Sequence, residues 1–531
     1  METMRWQPRT ELTRQEQFLM KRLVRTRKLF GFLRNHRLEL FDDEFQAELE
    51  AMYRDTGAGR TPVAPALLAM TVLLQAYHGI SDAEAVEMTV VDLRWQLVLD
   101  LLGATEPAFS QGALCDFRAR LIKHDMDRRL LERTVELARR TKAFDWKKIP
   151  KDIRVAVDSM PLEGAGRVED TINLLAHAAR KVIASAALLL DKTPFYVANT
   201  GGAPLLAVEH SIKRALDIDW NDAEQKAEAL RIFVEQLDSL EAWIRKHLPE
   251  EVEEPPLADD LQTLRQIREQ DLEPDPSGGG PRIRRGVAID RRVSVEDPDM
   301  RHGRKSKSKR FNGYKRHIAA DLDTNLILAC AITPANRPEE EAAPPLHDDI
   351  ARLPERNQIA ELCIDRGYVG SSLVQDVLTN RGDVVCKPWL ARNGELFAKS
   401  DFEINMRDRT IRCPAGQVEH FEPGSVVEFD PETCARCPLR SLCTMSSSHG
   451  RTINIAEDER LQHRLRKLVA TPKGRRRVRE RVRVEHRLAH VGRKQGRRAR
   501  YRGVRKNLFD LRRAAAVVNL EAIHCIEACA A

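Results

Sequence analysis

The sequence predicts an all-α N-terminal region followed by an α/β region, and three observations carry this expectation. The first 145 residues are short stretches of helical apolar periodicity separated by strong breaks. Beyond them, β-branched and apolar runs alternate with helical stretches in the order strand, hairpin, helix, strand, helix, strand. Two of those runs, far apart in the chain, end on an aspartate followed at once by turn-forming residues: Asp158 before Ser-Met-Pro, and Asp365 before Arg-Gly-Tyr.

In the N-terminal region, Ala66 to His78 carries Leu67, Leu68, Met70, Leu73 and Leu74 and stops at Gly79. Ser81-Asp-Ala-Glu84 is a capping box for a helix running to about Val90. Asp92 caps a further helix with Leu93, Trp95, Leu97 and Leu101, and Ser110 caps another through Phe117 and Leu121. Short helices with tight breaks suggest a helix-turn-helix-like bundle. Its last helix, with Gln111, Arg118 and Arg120, is a candidate for a DNA groove; a purely structural bundle is the alternative.

Arg154-Val-Ala-Val-Asp158 is the first strand. Helical patterns follow over Thr171 to Leu190 and Asp222 to Leu248, and the acidic, Pro- and Gly-rich Pro249 to Pro281 reads as a flexible linker. Tyr314 to Asp321, a turn at Asp323-Thr-Asn325 and Leu326 to Thr333 form a hairpin. A helix over Glu339 to Leu353, the strand ending at Asp365, a helix over Ser371 to Asn380, a strand over Asp383 to Lys387 and a last helix over Arg475 to Val491 complete the pattern. That order suggests an α/β fold of the ribonuclease-H type. The expected domains are 1–145, helical and DNA-binding, and 146–531, catalytic, with a helical insertion and linker at 170–285 and a cysteine-containing insertion at 389–460.

The net charge of +7 hides an asymmetry: Arg464 to Lys506 holds 19 Lys or Arg against two acids. Concentrated positive charge is the footprint of a polyanion partner, whereas a solvated helix face usually mixes both signs. Aromatics at 5% argue against recognition by extensive base stacking. The charged first thirty residues lack the apolar core of a signal peptide, and Arg180 and Lys181 interrupt the longest apolar stretch. A cytoplasmic protein without a membrane span is expected, with its ten cysteines reduced.

Two or three carboxylates from separate elements suit a hard divalent cation such as magnesium, and such ions serve phosphodiester chemistry. Asp158 and Asp365 would supply two. Glu485 would complete the set from the last helix, where Val478, Leu488 and Ala489 share its face. Arg481, one turn earlier, is placed to bind Glu485 or a phosphate. Glu480 repeats the same spacing but lies between arginines, so Glu485 is preferred. Cys413, Cys434, Cys437 and Cys443 have spacings compatible with a structural tetrahedral zinc, the alternative being four reduced cysteines. The basic run Arg301 to Arg316 is either a second DNA contact or a solvated loop, and Lys315 is its candidate phosphate ligand.

In order, the segments Pro65-Ala-Leu-Leu-Ala69, Gly79-Ile-Ser-Asp82, Asp92-Leu-Arg-Trp95, Phe109-Ser-Gln111, Val157-Asp-Ser159, Gly313-Tyr-Lys315, Thr333-Pro-Ala-Asn336 with Glu339, Asp365-Arg-Gly-Tyr368, Arg481-Val-Arg-Val-Glu485, Arg500-Tyr-Arg-Gly503 and Ala516-Val-Val-Asn-Leu520 make a specific pattern. The chain resembles the DDE transposases of bacterial insertion sequences, in the branch with a cysteine cluster ahead of the catalytic glutamate. The resemblance implies Asp158, Asp365 and Glu485 as catalytic acids holding Mg²⁺ or Mn²⁺. It also implies Arg481 as a DNA-binding residue, which joins Lys315 of the basic run, Arg118 and Arg120 of the helix after Ser110, and Lys494 near the family's lysine position as DNA-binding candidates. Along the last helix of related enzymes a tyrosine, an arginine, the glutamate and a lysine grip the element end; here the tyrosine position is Val478 and the lysine position Gly492. The implied partners are double-stranded DNA, as terminal inverted repeats and target, and a second copy of the chain on that DNA, in the bacterial cytoplasm or on the nucleoid. A domesticated, non-catalytic DNA-binding protein and a ribonuclease-H-like nuclease are the alternative functions.

Overall fold

The computed structural model of the chain describes residues 4–23, 28–53, 62–208, 211–276, 278 and 280–530. Its N-terminal region is helical: α1 (Arg14–Arg22), α2 (Lys28–Leu40), α3 (Asp43–Glu50), α4 (Pro65–His78), α5 (Asp82–Val91), α6 (Leu93–Leu99), α7 (Gln111–Lys123) and α8 (Met126–Arg140). The expected punctuation is present. Gly79 ends α4 with φ +73°, a left-handed conformation that glycine adopts without strain. Ser81 and Glu84 close the capping box of α5, Asp92 accepts from the amides of Arg94 and Trp95 in α6, and Ser110 Oγ accepts from the Ala113 amide in α7.

The region that follows is built on a mixed sheet. Its strands are β1 (Ile153–Glu163), β4 (Arg301–Arg304), β5 (Arg310–Asp321), β6 (Ile327–Pro334), β7 (Ile359–Cys363) and β8 (Asp383–Val385), in the order β4-β5-β1-β7-β8 with β6 also on β5. β1 runs antiparallel to β5 and parallel to β7. Helices α14 (Ala343–Ala351) and α15 (Ser372–Thr379) fill the β6-to-β7 and β7-to-β8 connections. β1 is longer than the sequence suggested. Pro161 looked like a terminator, but β1 leaves β7 after Ala156 and continues on β5, its other edge unpaired until Arg498 bridges Glu163, and on such an edge the missing proline N–H costs no ladder bond. Asp158 therefore sits within the strand, not at its tip.

Gly313 explains one motif. It lies where β1, β4 and β5 meet, and a Cβ there would overlap the backbone of Leu162 and Gly164. Tyr314 beside it bonds Asp297 and accepts from the Gly503 amide, tying β5 to the Arg500-Tyr-Arg-Gly503 turn.

Between β1 and β4 stands a helical unit with its own core: α9 (Thr171–Leu189), α10 (Pro194–Thr200), α11 (Ile212–Leu216), α12 (Ala223–His247) and α13 (Leu257–Asp271), closed by the short pair β2 (Leu272–Pro274) and β3 (Pro281–Ile283). Helix α13 corrects the expected linker. Leu257, Leu261, Leu264 and Ile267 form a buried stripe against α9, hidden in an otherwise acidic composition. Ser277 and Gly279 of that segment lie outside the described residues. Helix α9 is itself long and apolar enough to cross a membrane, despite Arg180 and Lys181, but more than half of it is buried in this core.

The cysteine-containing segment after β8 holds two small sheets, β9 (Glu403–Asn405), β10 (Thr410–Arg412) and β11 (Val418–His420), then β12 (Val426–Glu428) with β13 (Thr452–Asn454), around a third core that includes Phe402, Phe429 and Ile453. Helix α16 (Pro431–Ala435) carries Cys434. Then come α17 (Glu459–Ala470), α18 (Pro472–Glu480), α19 (Val482–Gln495) and α20 (Val504–Ala530); the single expected helix over 475–491 is thus broken at Arg481. Helix α20 packs on α4, α8, α19 and β6, so the N-terminal helices and the sheet share one continuous core, and no break in that core falls at residue 145. Buried Arg512 joins Asp125 and Asp127 to Asp349, while Asn519 bonds both backbone groups of Ile327.

Candidate active site

The sheet register brings the two aspartates together. The last parallel pair between β1 and β7 is Ala156 with Cys363, and Asp158 and Asp365 each stand two residues beyond it. After Cys363 the chain leaves the sheet for a single 3₁₀ turn, Arg366–Tyr368, which Asp365 caps through the Arg366 amide. Asp158 stays on β1, opposite Ile318. Helix α19 crosses β1 and β5 and delivers Glu485 to the same opening, a cavity of about 450 Å³ also lined by Ser159, Lys315, Glu339 and Arg481.

Arg481 sits among the acids. Its guanidinium pairs with Asp158 at 3.0 Å and with Glu485 at 2.6 Å. Burial pushes the Asp158 carboxyl up to about 6; the Arg481 pair opposes this, and the charges of Glu485 and Asp365 add to it. Glu485 does not face the core as its helical spacing suggested. Val484, Leu488 and Val491 form the buried stripe, and the Glu485 side chain, 44% exposed, borders it at the cavity mouth. Glu480 points elsewhere, into a network with Arg154, Glu361, Arg477 and Asp383.

Three carboxylates from three elements, with a guanidinium already drawn to two of them, are a hard-oxygen donor set that suits Mg²⁺ or Mn²⁺. Among the described residues, no three His, Cys, Asp or Glu side chains are yet close enough to coordinate an ion as they stand. Arg481 fills the space between Asp158 and Glu485. Cys413, Cys434, Cys437 and Cys443 likewise line one cavity of about 520 Å³, all as free thiols, and burial together with the other three sulfurs pushes the Cys443 thiol up. Of the other six cysteines, Cys330, Cys363 and Cys386 are buried, whereas Cys115, Cys525 and Cys529 are exposed.

The DNA-binding candidates divide. Lys315 faces the cavity and donates to the Arg337 carbonyl at 2.8 Å. Arg118 is engaged internally: it makes a bidentate pair with Asp82 and lies over the Tyr501 ring. Arg120 lies over Tyr53 at 4.5 Å. Lys494 pairs with Glu521 and sits 3.9 Å from the Tyr77 ring centroid. In this structure those three side chains join elements of the protein to one another, and the exposed face of α7 carries Gln111, Cys115, Asp116 and Lys123. The basic run beyond Arg301 is an ordered hairpin of β4 and β5, not a structureless loop. Its exposed tip, Arg304 to Arg310, reaches both the active-site cavity and a neighbouring one of about 480 Å³ that also holds Arg493 and Arg497. Gly492, at the lysine position of related helices, packs on Met160: a Cβ there would stand 3.1 Å from Met160 Cε.

Glu339 belongs to the sequence pattern but had no assigned place in the site. Its carboxylate accepts from Ser159 Oγ at 2.5 Å, next in chain to Asp158. It opens a 3₁₀ turn over Glu339–Ala342, one residue after Pro338, and nothing local in the sequence marks its approach to Ser159.

Two aspartates, each two residues past the Ala156–Cys363 pair of parallel strands, a glutamate from a crossing helix and a basic rim make an acid-lined cavity suited to a hard divalent cation and a phosphate backbone. The family comparison agrees. A model described as "Transposase DDE domain" matches residues 281–520, and one described as "Transposase domain (DUF772)" matches residues 27–120, together well over half of the chain. The chain belongs to the DDE transposases, enzymes that cleave DNA and transfer strands, in an insertion-sequence family with an N-terminal transposase domain. Asp365, Arg481 and Glu485 fall inside the matched catalytic segment, and Asp158 precedes it, separated by the helical unit. Neither the curated proteins nor the solved structures searched gave a match.

Proposed function

We propose that Asp158, Asp365 and Glu485 are the catalytic acids of this transposase, and that they hold Mg²⁺ or Mn²⁺ while it cleaves an element end and joins it to target DNA. The observation that carries this is the register: both aspartates lie two residues past the Ala156–Cys363 pair, and Glu485 lines the same cavity. The bound ions would activate the attacking oxygen and stabilise the leaving one. The residues do the rest. Asp158 must be ionised to serve as a ligand, and burial with like charges makes that proton easier to keep than in water. Arg481, held by two carboxylates, is positioned to pass its guanidinium to a phosphate once those carboxylates have another cation. Lys315 and the β4–β5 tip add positive charge along the approach. Water first attacks phosphorus and frees a 3′-hydroxyl; that hydroxyl then displaces a bridging oxygen in the target, so one phosphodiester bond replaces another and no ATP is needed.

On this reading the helical unit over 170–285 and the cysteine segment over 389–460 are insertions in the ribonuclease-H-like domain, and the latter takes a structural zinc on its four thiols. The partners are double-stranded DNA, as terminal inverted repeats and target, and a second copy of the chain bound to it, acting in the bacterial cytoplasm. The test is magnesium-dependent cleavage of an element-end duplex by the full chain. Asp365→Ala should lose it. Wild-type cleavage by that variant would place the chemistry elsewhere.

A further inference from the structure

Behind the cavity runs a chain of hydrogen bonds that the three acids do not use. His317, wholly buried on β5, bonds Thr333 Oγ1 of β6 through Nε2 at 2.9 Å and Tyr368 Oη through Nδ1 at 2.7 Å. Tyr368 Oη lies beside Ser159, and Ser159 Oγ donates to Glu339 at 2.5 Å. Burial holds the imidazole neutral, so it has one N–H and one lone pair. The carboxylate of Glu339 can only accept, so Ser159 donates to it, and the neutral His317 ring donates through one nitrogen and accepts through the other.

The two ends of this chain matter because of their neighbours. Ser159 follows Asp158, and Tyr368 closes the turn that Asp365 caps. Glu339 touches both pieces: it bonds Ser159, and its other oxygen lies so close over Gly367 that a Cβ there would collide with it. The sheet register brings Asp158 and Asp365 to the same opening, but β1 has no β7 partner beyond Ala156, so no strand pairing joins the two residues directly. We infer that Glu339 is a positioning residue for the two catalytic aspartates, clamping the Asp158 strand to the Asp365 turn through Ser159 and Gly367. Thr333, Glu339, Ser159 and the residues from Asp365 to Tyr368 are thereby accounted for by one device. A displacement of about 1 Å at such a site is enough to lower turnover roughly a hundredfold.

This inference rests on the assignment of Asp158 and Asp365 as catalytic, and the experiment keeps the two apart. Cleavage of an element-end duplex by the full chain is measured at saturating DNA, with DNA affinity measured separately, for Glu339→Ala, Glu339→Gln, Ser159→Ala, the Glu339→Ala/Ser159→Ala double variant and Asp365→Asn. Glu339→Ala and Ser159→Ala should each lower turnover by ~100-fold with DNA affinity unchanged, and the double variant should be no worse than either. Glu339→Gln keeps an acceptor oxygen for Ser159 and should recover most of the rate. Wild-type turnover in Glu339→Ala, or Glu339→Gln as impaired as Glu339→Ala, overturns the positioning role; the second result would mean that the charge itself is used. An inactive Asp365→Asn beside an unaffected Glu339→Ala fails this inference alone, whereas an active Asp365→Asn fails the site assignment beneath it.

Discussion

Asp158→Asn should make the metal-free protein more stable, and only above a defined pH. In the folded chain burial raises the Asp158 carboxyl from its ordinary 3.8 to about 6, even with Arg481 beside it. Each tenfold change in proton affinity corresponds to about 1.4 kcal/mol, so ionising Asp158 in the folded state costs on the order of 3 kcal/mol relative to the unfolded chain. The sign follows from the raised value. Below pH 4 the carboxyl is protonated in both states and the wild type bears no penalty. The penalty grows between pH 4 and 6 and is complete above 6. The asparagine variant is neutral throughout, so its advantage should be absent near pH 4 and level off above pH 6 at ~1–3 kcal/mol. Thermal unfolding of wild type and variant from pH 4 to 8 in chelator, with their difference plotted against pH, measures this. Added Mg²⁺ should reverse the order at pH 8 by stabilising the wild type alone. A difference that is flat with pH, or that favours the wild type in chelator at pH 8, would refute the reasoning. A catalytic acid retained at a cost to the fold is the expected trade between stability and function.

Four further outcomes are expected. The Mg²⁺ concentration needed for half-maximal cleavage should rise about tenfold per pH unit below pH 6, because Asp158 must lose its proton first; a requirement independent of pH between 5 and 7 would contradict this. Protein purified without chelator should contain one zinc per chain, and Cys434→Ser should lose it, as elemental analysis will show; no zinc in the wild type would leave four reduced thiols. Replacing Lys305, Lys307 and Lys309 by Glu should weaken DNA binding and flatten its dependence on log salt by ~0.9 for each phosphate no longer neutralised, whereas an unchanged slope would remove the hairpin from the DNA path. Leu264→Ala, in the buried stripe of α13, should cost about 2–5 kcal/mol and open the helical unit to limited proteolysis; a proteolysis pattern like the wild type's would restore the linker reading of that segment.

Much of the catalytic sheet was legible because its strands are short apolar runs with clear turn residues, and the acids after them stand out against such runs. The sheet's true extent was not. Pro161 reads as a strand end unless one knows that β1 has lost its second neighbour there. Helix α13 was missed because four apolar residues in the right rows are outweighed by the acids and prolines around them, and α20 was seen only as the short motif at Ala516 to Leu520. Basic side chains are harder to place from sequence. Arg118 and Arg120 read as DNA contacts from their place on the helix after Ser110, and Lys494 from its place near the lysine position of related helices; the fold gives each an internal partner, Asp82, Tyr53 and Glu521. Glu485 was preferred to Glu480 because Glu480 lies between arginines, and it does line the cavity, while the helical face argument gave it the wrong environment. Glu339 carries no local signal of its role, since Ser159, 180 residues earlier, becomes its neighbour only through the sheet.

Direct binding of Mn²⁺ to the full chain on element-end DNA, followed by calorimetry or by the metal's electron paramagnetic resonance, tests the central claim that three distant acids make one metal site. Wild type should bind Mn²⁺, and Asp158→Ala, Asp365→Ala and Glu485→Ala should each weaken it by ~10-fold or more while DNA binding persists. Equal Mn²⁺ binding by wild type and all three variants would contradict it.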